Sequence, residues 1–176
     1  MHWADFTAQR LAQRGDKHII ASGITPSGEF HIGHLREILT GDMVTRACKD
    51  AGMDAEFVFI VDSADPLRKV YPFLSDEYEK YIGCPLALIP APDEDGNPSD
   101  SGISYAQYFL DPFLKALEQI DVRPRIIDNY ESYSNGKFAE RARIVCENPD
   151  KIREIIERVS GRELSDDWFP FNPYGH

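Results

Sequence analysis

The sequence predicts an α/β fold, a parallel sheet flanked by helices, and three observations carry that reading. Short apolar runs alternate with longer stretches of helical periodicity. The first run opens through a glycine-rich turn directly onto a helix. The second, E-F-V-F-I-V at 56–61, is apolar on both faces, as parallel strands covered by helices are. Strand, turn, helix, strand, helices, strand is the order of an α/β sheet joined by right-handed crossovers.

The elements follow in order. Residues 2–14 carry a helical pattern with Trp3, Phe6 and Leu11 as its apolar positions, broken at Gly15-Asp16. Lys17 to Ser22 reads as a short buried strand. A helix is predicted from about Ile32 to Ala51 through Leu35, Ile38, Leu39, Val44 and Ala47, stopped by Gly52. Asp62-Ser63-Ala64-Asp65-Pro66 is a turn at the end of the second strand. Residues 85–104 are rich in Pro, Gly, Ser and Asp, and the acidic part, about 91–104, is expected to be an exposed, mobile loop. Tyr105 to Ile120 is helical, with Pro112 expected to kink or split it. Arg125 to Asp128 is a third strand. Two helices follow, Gly136 to Cys146 and Pro149 to Ser160. The second has Asn148 as expected N-cap and Gly161 past its end. The tail, Trp168 to Tyr174, is aromatic and proline-rich.

Composition narrows the function classes. With 176 residues the chain is long enough for a real core, and a single domain over 1–176 is expected. No run of apolar residues is long enough for a membrane span, and the first residues lack a basic-then-apolar leader. No membrane partner is expected, and a cytoplasmic location is. Cys48, Cys84 and Cys146 are far apart and odd in number, which fits free thiols. The formal net charge of -11 repels polyanions at long range, so any nucleic-acid contact must be local or come from elsewhere.

In such a sheet ligands bind beyond the carboxyl ends of the strands. Two segments belong on that rim: Asp62–Asp65, and S-G-I-T-P-S-G-E-F-H-I-G-H at 22–34. Gly23 and Gly28 let the backbone pass close to a ligand, and Thr25 and Ser27 can donate hydrogen bonds. A helix N-terminus presents free N–H groups to an anion. His31 and His34, three apart, are expected on one face of the first helical turn. Gly33 lies between them, bare enough for a purine to stack close. Paired imidazoles can donate to phosphate oxygens, and one such preorganised donor is worth about 3 kcal/mol in a transition state. H-x-x-H by itself can also be chance or part of a metal site. The H-E-x-x-H spacing of a zinc protease is absent and no third ligand stands nearby, so no metal site is expected; G-x-G-x-x-G is absent too, which argues against a dinucleotide site.

The segment A-S-G-I-T-P-S-G-E-F-H-I-G-H-L-R-E resembles the nucleotide-binding signature of class I aminoacyl-tRNA synthetases, and more narrowly the class I type of lysyl-tRNA synthetase. M-H-W-A-D at the start, D-P-L-R-K-V-Y-P-F-L at 65–74 and S-G-R-E-L-S-D-D-W-F-P-F at 160–171 fit the same family in order. The family often has Asn where this chain has His34. The resemblance implies a Rossmann-like (HUP-type) fold, its first half with an insertion. It implies lysine activation by ATP with Mg²⁺, then transfer of the lysyl group to tRNA-Lys. His31 and His34 are then catalytic. Thr25, Pro26, Ser27, Gly28 and Gly33 join them at the ATP, with Gly33 under the adenine. Gly23 and Thr25 match the positions that hold the amino acid. Asp62 and Asp65 either receive the lysine ammonium or cap the turn and the helix after it.

Other groups keep two readings. Arg68 and Lys69 are a solvated face or touch tRNA. The basic run from Arg141 to Arg162 is a solvated surface or a tRNA contact. Tyr105, Tyr108, Phe109 and Phe113 are core or a base-stacking platform. The family's second signature, K-M-S-K-S, and its helical anticodon-binding region are not found. The chain is therefore expected to lack the C-terminal half of the enzyme, to leave the first strand open on one edge, to bind ATP weakly and not to aminoacylate. The competing readings are a small nucleotidyltransferase with the same histidine signature, and a synthetase-like paralogue that binds tRNA or a protein without catalysis.

Overall fold

The computed structural model describes residues 2–171. Asn172, Pro173 and Tyr174 of the aromatic tail lie outside the described residues. The chain divides into two compact units, Met1–Tyr130 and Glu131–His176.

The first unit runs α1 (Trp3–Ala12), β1 (Lys17–Ile24), α2 (Ile32–Asp50), β2 (Asp54–Val61), a 3-10 turn (Asp76–Tyr81), α3 (Tyr105–Gln119) and β3 (Arg125–Asp128). The strands form one parallel sheet in the order β1-β2-β3, in register from Lys17↔Asp54 to Ile24↔Val61 and from Val58↔Arg125 to Val61↔Asp128. All three therefore end at one rim.

Alternation decides what the sheet buries. Phe57, Phe59 and Val61 point to one face and meet Ile24, Ile38 of α2, and Phe113 and Leu117 of α3. Crossovers of one hand, taken twice in the same direction, put both helices on that side. The opposite face carries Ile19, Ala21 and Gly23 beside Glu56, Val58 and Ile60. β1 is thus not the buried strand the sequence suggested. It has a single neighbour, its residues alternate between exposed and half-buried, and Ile19 is 64% exposed. An apolar run alone does not distinguish an edge strand from a central one.

Helix α1 also turns a different face inward. Ala4 and Ala8 are buried against Val44, Ala47 and Cys48 of α2, while Trp3 and Phe6 are exposed. Small residues let the two helices approach closely. A second core, Leu67, Leu74, Tyr78, Leu86, Ile89, Tyr105 and Phe109, lies under the segment joining β2 to α3. The acidic stretch within it is surface-exposed at Asp93–Asp95 and stitched by its own hydrogen bonds. Asp93 Oδ1 accepts from the N–H groups of Asp95 and Asn97, and Ser75 N–H donates to the Gly96 carbonyl. Pro112 does not split α3, which runs unbroken from Tyr105 to Gln119.

In the division between units, α4 (Asn129–Ser134) follows β3 without a break, an element not foreseen. The second unit then has α5 (Ala139–Cys146) and α6 (Pro149–Ser160). α5 starts later than expected, because Gly136 adopts a left-handed turn with φ 70°. Asn148 is the N-cap residue of α6, as expected, and its carbonyl accepts the Ile152 N–H, but its side chain makes no capping bond; the amide donates to the Ile144 carbonyl of α5 at 2.8 Å instead. Gly161 ends α6 at φ 68°, as foreseen. Arg153 of the basic run donates to the carbonyls of Asp166 and Trp168. Among the described residues Cys48, Cys84 and Cys146 form no disulfide, and no helix is long and apolar enough to cross a membrane.

Candidate active site

The two histidines stand where β1 gives way to α2, and they hold each other. His31 is the N-cap of α2 rather than a member of its first turn, with extended backbone at φ -126°. Its Nδ1 accepts the Gly33 N–H at 3.0 Å, and its own N–H donates to Nδ1 of His34 at 3.1 Å. The rings stack with centroids 3.9 Å apart and 29° between their planes. This is a capping box built from imidazoles.

The cap sets the chemistry. An Nδ1 that accepts a hydrogen bond carries no proton, so each neutral ring carries its proton on Nε2. Two Nε2–H donors are left for a ligand at the N-terminus of a helix. Burial first, and the charge of His31 second, push His34 below the ordinary imidazole range, against an opposing pull from Glu37. His31 is exposed and His34 half-buried, so neither ring is sealed in packing.

Gly33 has a second use beyond its expected place under a purine. A Cβ there would stand 2.8 Å from Cε1 and 2.9 Å from Nδ1 of His31. The bare Cα admits the His31 ring, and the cap depends on it.

The T-P-S-G loop is anchored at each residue. Thr25 Oγ1 donates to Asp65 Oδ2 at 2.9 Å. Pro26 is fully buried and seats the loop. The Ser27 carbonyl accepts the Tyr105 hydroxyl at 2.8 Å. A Cβ on Gly28 would reach the Phe73 ring at 3.4 Å. Tyr105 is completely buried and Phe109 and Phe113 nearly so, which makes these three rings core, whereas Tyr108 is 40% exposed. Yet the Tyr105 hydroxyl also fixes the loop, a role no sequence pattern signals, because its acceptor is a backbone carbonyl 78 residues away.

The two turn carboxylates diverge. Asp65 accepts from Thr25 and faces the Arg68 guanidinium at 3.4 Å. Asp62 is half-buried, and its Oδ2 lies 3.7 Å from where a Gly23 Cβ would be. Its Oδ1 accepts the Asn129 side-chain amide. Burial, then the charge of Asp65, raise the Asp62 carboxyl above the usual carboxylate range, and the Asn129 bond works against them. Ser63, also buried, donates to Asp128 Oδ2 at 2.7 Å and accepts the Tyr130 N–H. Asn129 and Asp128 were not singled out in the sequence. Their signal was positional: Asp128 ends the third strand and Asn129 follows it, and that strand's carboxyl end belongs to the same rim. Lys69 lies over the Tyr71 ring at 5.5 Å, on the exposed surface.

A cleft of about 380 Å³ runs from Gly33 along the open edge of β1, lined by Ser22, Arg36, Glu37 and Thr40. A larger cleft, about 700 Å³, lies away from the histidines, between the 3-10 turn and residues 98–104. Size alone does not locate the site.

A model of the family described as "tRNA synthetases class I (K)" matches residues 1–176. Among curated relatives, the chain is 44% identical over 173 residues to a lysine–tRNA ligase of Methanosarcina barkeri, covering 98% of this chain and 31% of that protein. It is 45% identical over 173 residues to a lysine–tRNA ligase of Archaeoglobus fulgidus, covering 98% and 34%. It is 43% identical over 174 residues to one of Methanocaldococcus jannaschii, covering 98% and 32%. The chain thus spans about a third of the length of these relatives.

Proposed function

The chain belongs to the class I tRNA synthetase family matched over its whole length, and from that premise we propose that it carries the nucleotide- and lysine-binding half of a lysine–tRNA ligase site. The reaction is attack of the lysine carboxylate on the α-phosphorus of ATP. A P–O bond forms, the bond to pyrophosphate breaks, and lysyl-adenylate results. The lysyl group then passes to the terminal adenosine of tRNA-Lys.

The observation that supports this reading best is the reciprocal cap of His31 and His34. Two imidazoles are held with Nδ1 turned to the backbone and Nε2–H free. Donors of this kind suit phosphate oxygens that gain charge as pyrophosphate leaves. Neutral rings are the right form, since protonating Nδ1 would remove the acceptor of each cap bond. Thr25, Ser27 and Gly28 offer a loop that is rigid before the nucleotide arrives. Among the described residues no three His, Cys, Asp or Glu converge as metal ligands. Mg²⁺ is read as part of the MgATP substrate, where it would offset charge on the phosphates.

The substrate ammonium goes to Asp62 rather than Asp65. Asp65 already faces a cation, Arg68, and accepts the Thr25 hydroxyl. Asp62 has an oxygen over Gly23, where an extended amino acid lying along the end of β1 would pass.

Imidazole NMR of this chain tests the reading. Millimolar MgATP is expected to move the His31 and His34 resonances and to leave His2 and His18 unmoved. Shifts confined to His2 or His18, or no shift at all, would count against it.

A further inference from the structure

We propose that Asn129 is a positioning residue for substrate selection: its amide holds one oxygen of Asp62 so that the other faces a cationic side chain over Gly23. The inference deepens the lysine reading above and rests on it.

Three placements carry it. First, the parallel register puts Asp62 and Asn129 together. Val61 pairs with Asp128, so the residues that follow them, Asp62 in the turn and Asn129 at the start of α4, leave the sheet side by side. Gly23 of β1, paired with Ile60, lies at the same rim. The three residues meet at the rim without any local sequence link.

Second, the two oxygens of Asp62 have different surroundings. Oδ1 accepts the Asn129 amide, and Oδ2 stands 3.7 Å from where a Gly23 Cβ would be, as near as the Ile60 carbonyl oxygen. A carboxylate rotates about its last bond unless one oxygen is held. Asn129 removes that freedom, so the order is present before the substrate binds.

Third, the neighbouring groups are already committed. Asp65 is held by Thr25 and Arg68, and Asp128 by Ser63. Without Asn129, Asp62 would face Asp65 with no donor of its own. It would then relieve the repulsion by taking a proton or turning away, and in either form it is a poorer acceptor for an ammonium.

An amide suits this position better than a cation. Lys or Arg at 129 would hold Asp62 more strongly but cancel the charge that the substrate must meet. An amide orients without neutralising.

The test compares lysine with norleucine, which has the same chain length and no ammonium. Binding to this chain is followed by NMR, and the Asp62 carboxyl is titrated by carbon-13 NMR in the same samples. Asn129→Ala is expected to raise the Asp62 titration midpoint and to reduce the preference for lysine about tenfold, the scale of one misdirected charge-assisted hydrogen bond. Asn129→Asp serves where the alanine variant does not fold. It adds a carboxylate yet removes the donor, so lysine preference is again expected to fall. A rise in preference with Asn129→Asp would show that the site needs charge and not orientation, and would overturn the proposal. So would an Asp62 midpoint or a lysine preference unchanged by Asn129→Ala in a wild-type chain that does prefer lysine. A wild-type chain with no preference for lysine over norleucine would overturn the underlying reading itself, whatever the variants do.

Discussion

Replacing Gly41 with alanine tests how α2, and with it the histidine pair, is seated. Gly41 is buried at the middle of the helix. A Cβ there would stand 2.7 Å from Cζ of Phe57 and closer still to Cε2. Carbon atoms in contact prefer about 3.5–4.0 Å, so the overlap is about 1 Å against a ring that is only 6% exposed. Overpacking of this kind costs about 1–3 kcal/mol. Alanine in place of glycine in a helix returns about 0.5–1 kcal/mol. The net expectation is a loss of about 1 kcal/mol, read as a lower urea midpoint with an unchanged slope.

Phe57→Leu supplies the control. It destabilises the chain by itself but opens room for the new methyl group. In that background Gly41→Ala is expected to be neutral or to stabilise, a coupling of about 1–2 kcal/mol between residues in contact. The His31 and His34 resonances should shift in the single variant and return toward their original positions in the double one. If Gly41→Ala stabilises the wild-type chain, or the two changes are simply additive, the close approach of α2 to β2 is not what the glycine provides.

Two further outcomes are expected. His34 is held below its ordinary value of 6.5, so as pH falls below that value the unfolded chain gains a proton the folded chain resists. Stability should be full above that pH and decline as pH falls toward the folded midpoint. Urea midpoints at about pH 7.5 and about pH 5.5 should therefore differ more in the wild type than in His34→Asn, and equal differences would remove the burial argument. Tyr105→Phe strips the donor from the Ser27 carbonyl. It should cost about 1 kcal/mol and speed hydrogen exchange in the loop from Thr25 to Gly28; unchanged exchange would mean that the hydroxyl does not anchor that loop.

Much of the architecture was legible in the chain because it rests on local physics. Period and punctuation placed α2 between His31 and Gly52, and E-F-V-F-I-V could only be a strand with helices near it. The histidine pair was legible for the same reason, since a strand, a glycine turn and a helix start lie next to one another in sequence. The failures also share a cause. Trp3 and Phe6 were natural choices for a buried face, but Ala4 and Ala8 were taken because α2 offered small neighbours. Asn148 takes the N-cap position of the helix after it, but its side chain bonds the helix before it.

By itself the sequence determined the sheet, the rim and the two imidazoles on it, since each follows from residues within a few positions of one another. Only the tertiary structure decided which turn carboxylate stands beside Gly23 and what holds it. Asp62 and Asn129 are 67 residues apart, as Ser27 and Tyr105 are 78. No local period links such residues. They meet because parallel strands in register end at one rim, where the residues just past Val61 and Asp128 stand side by side.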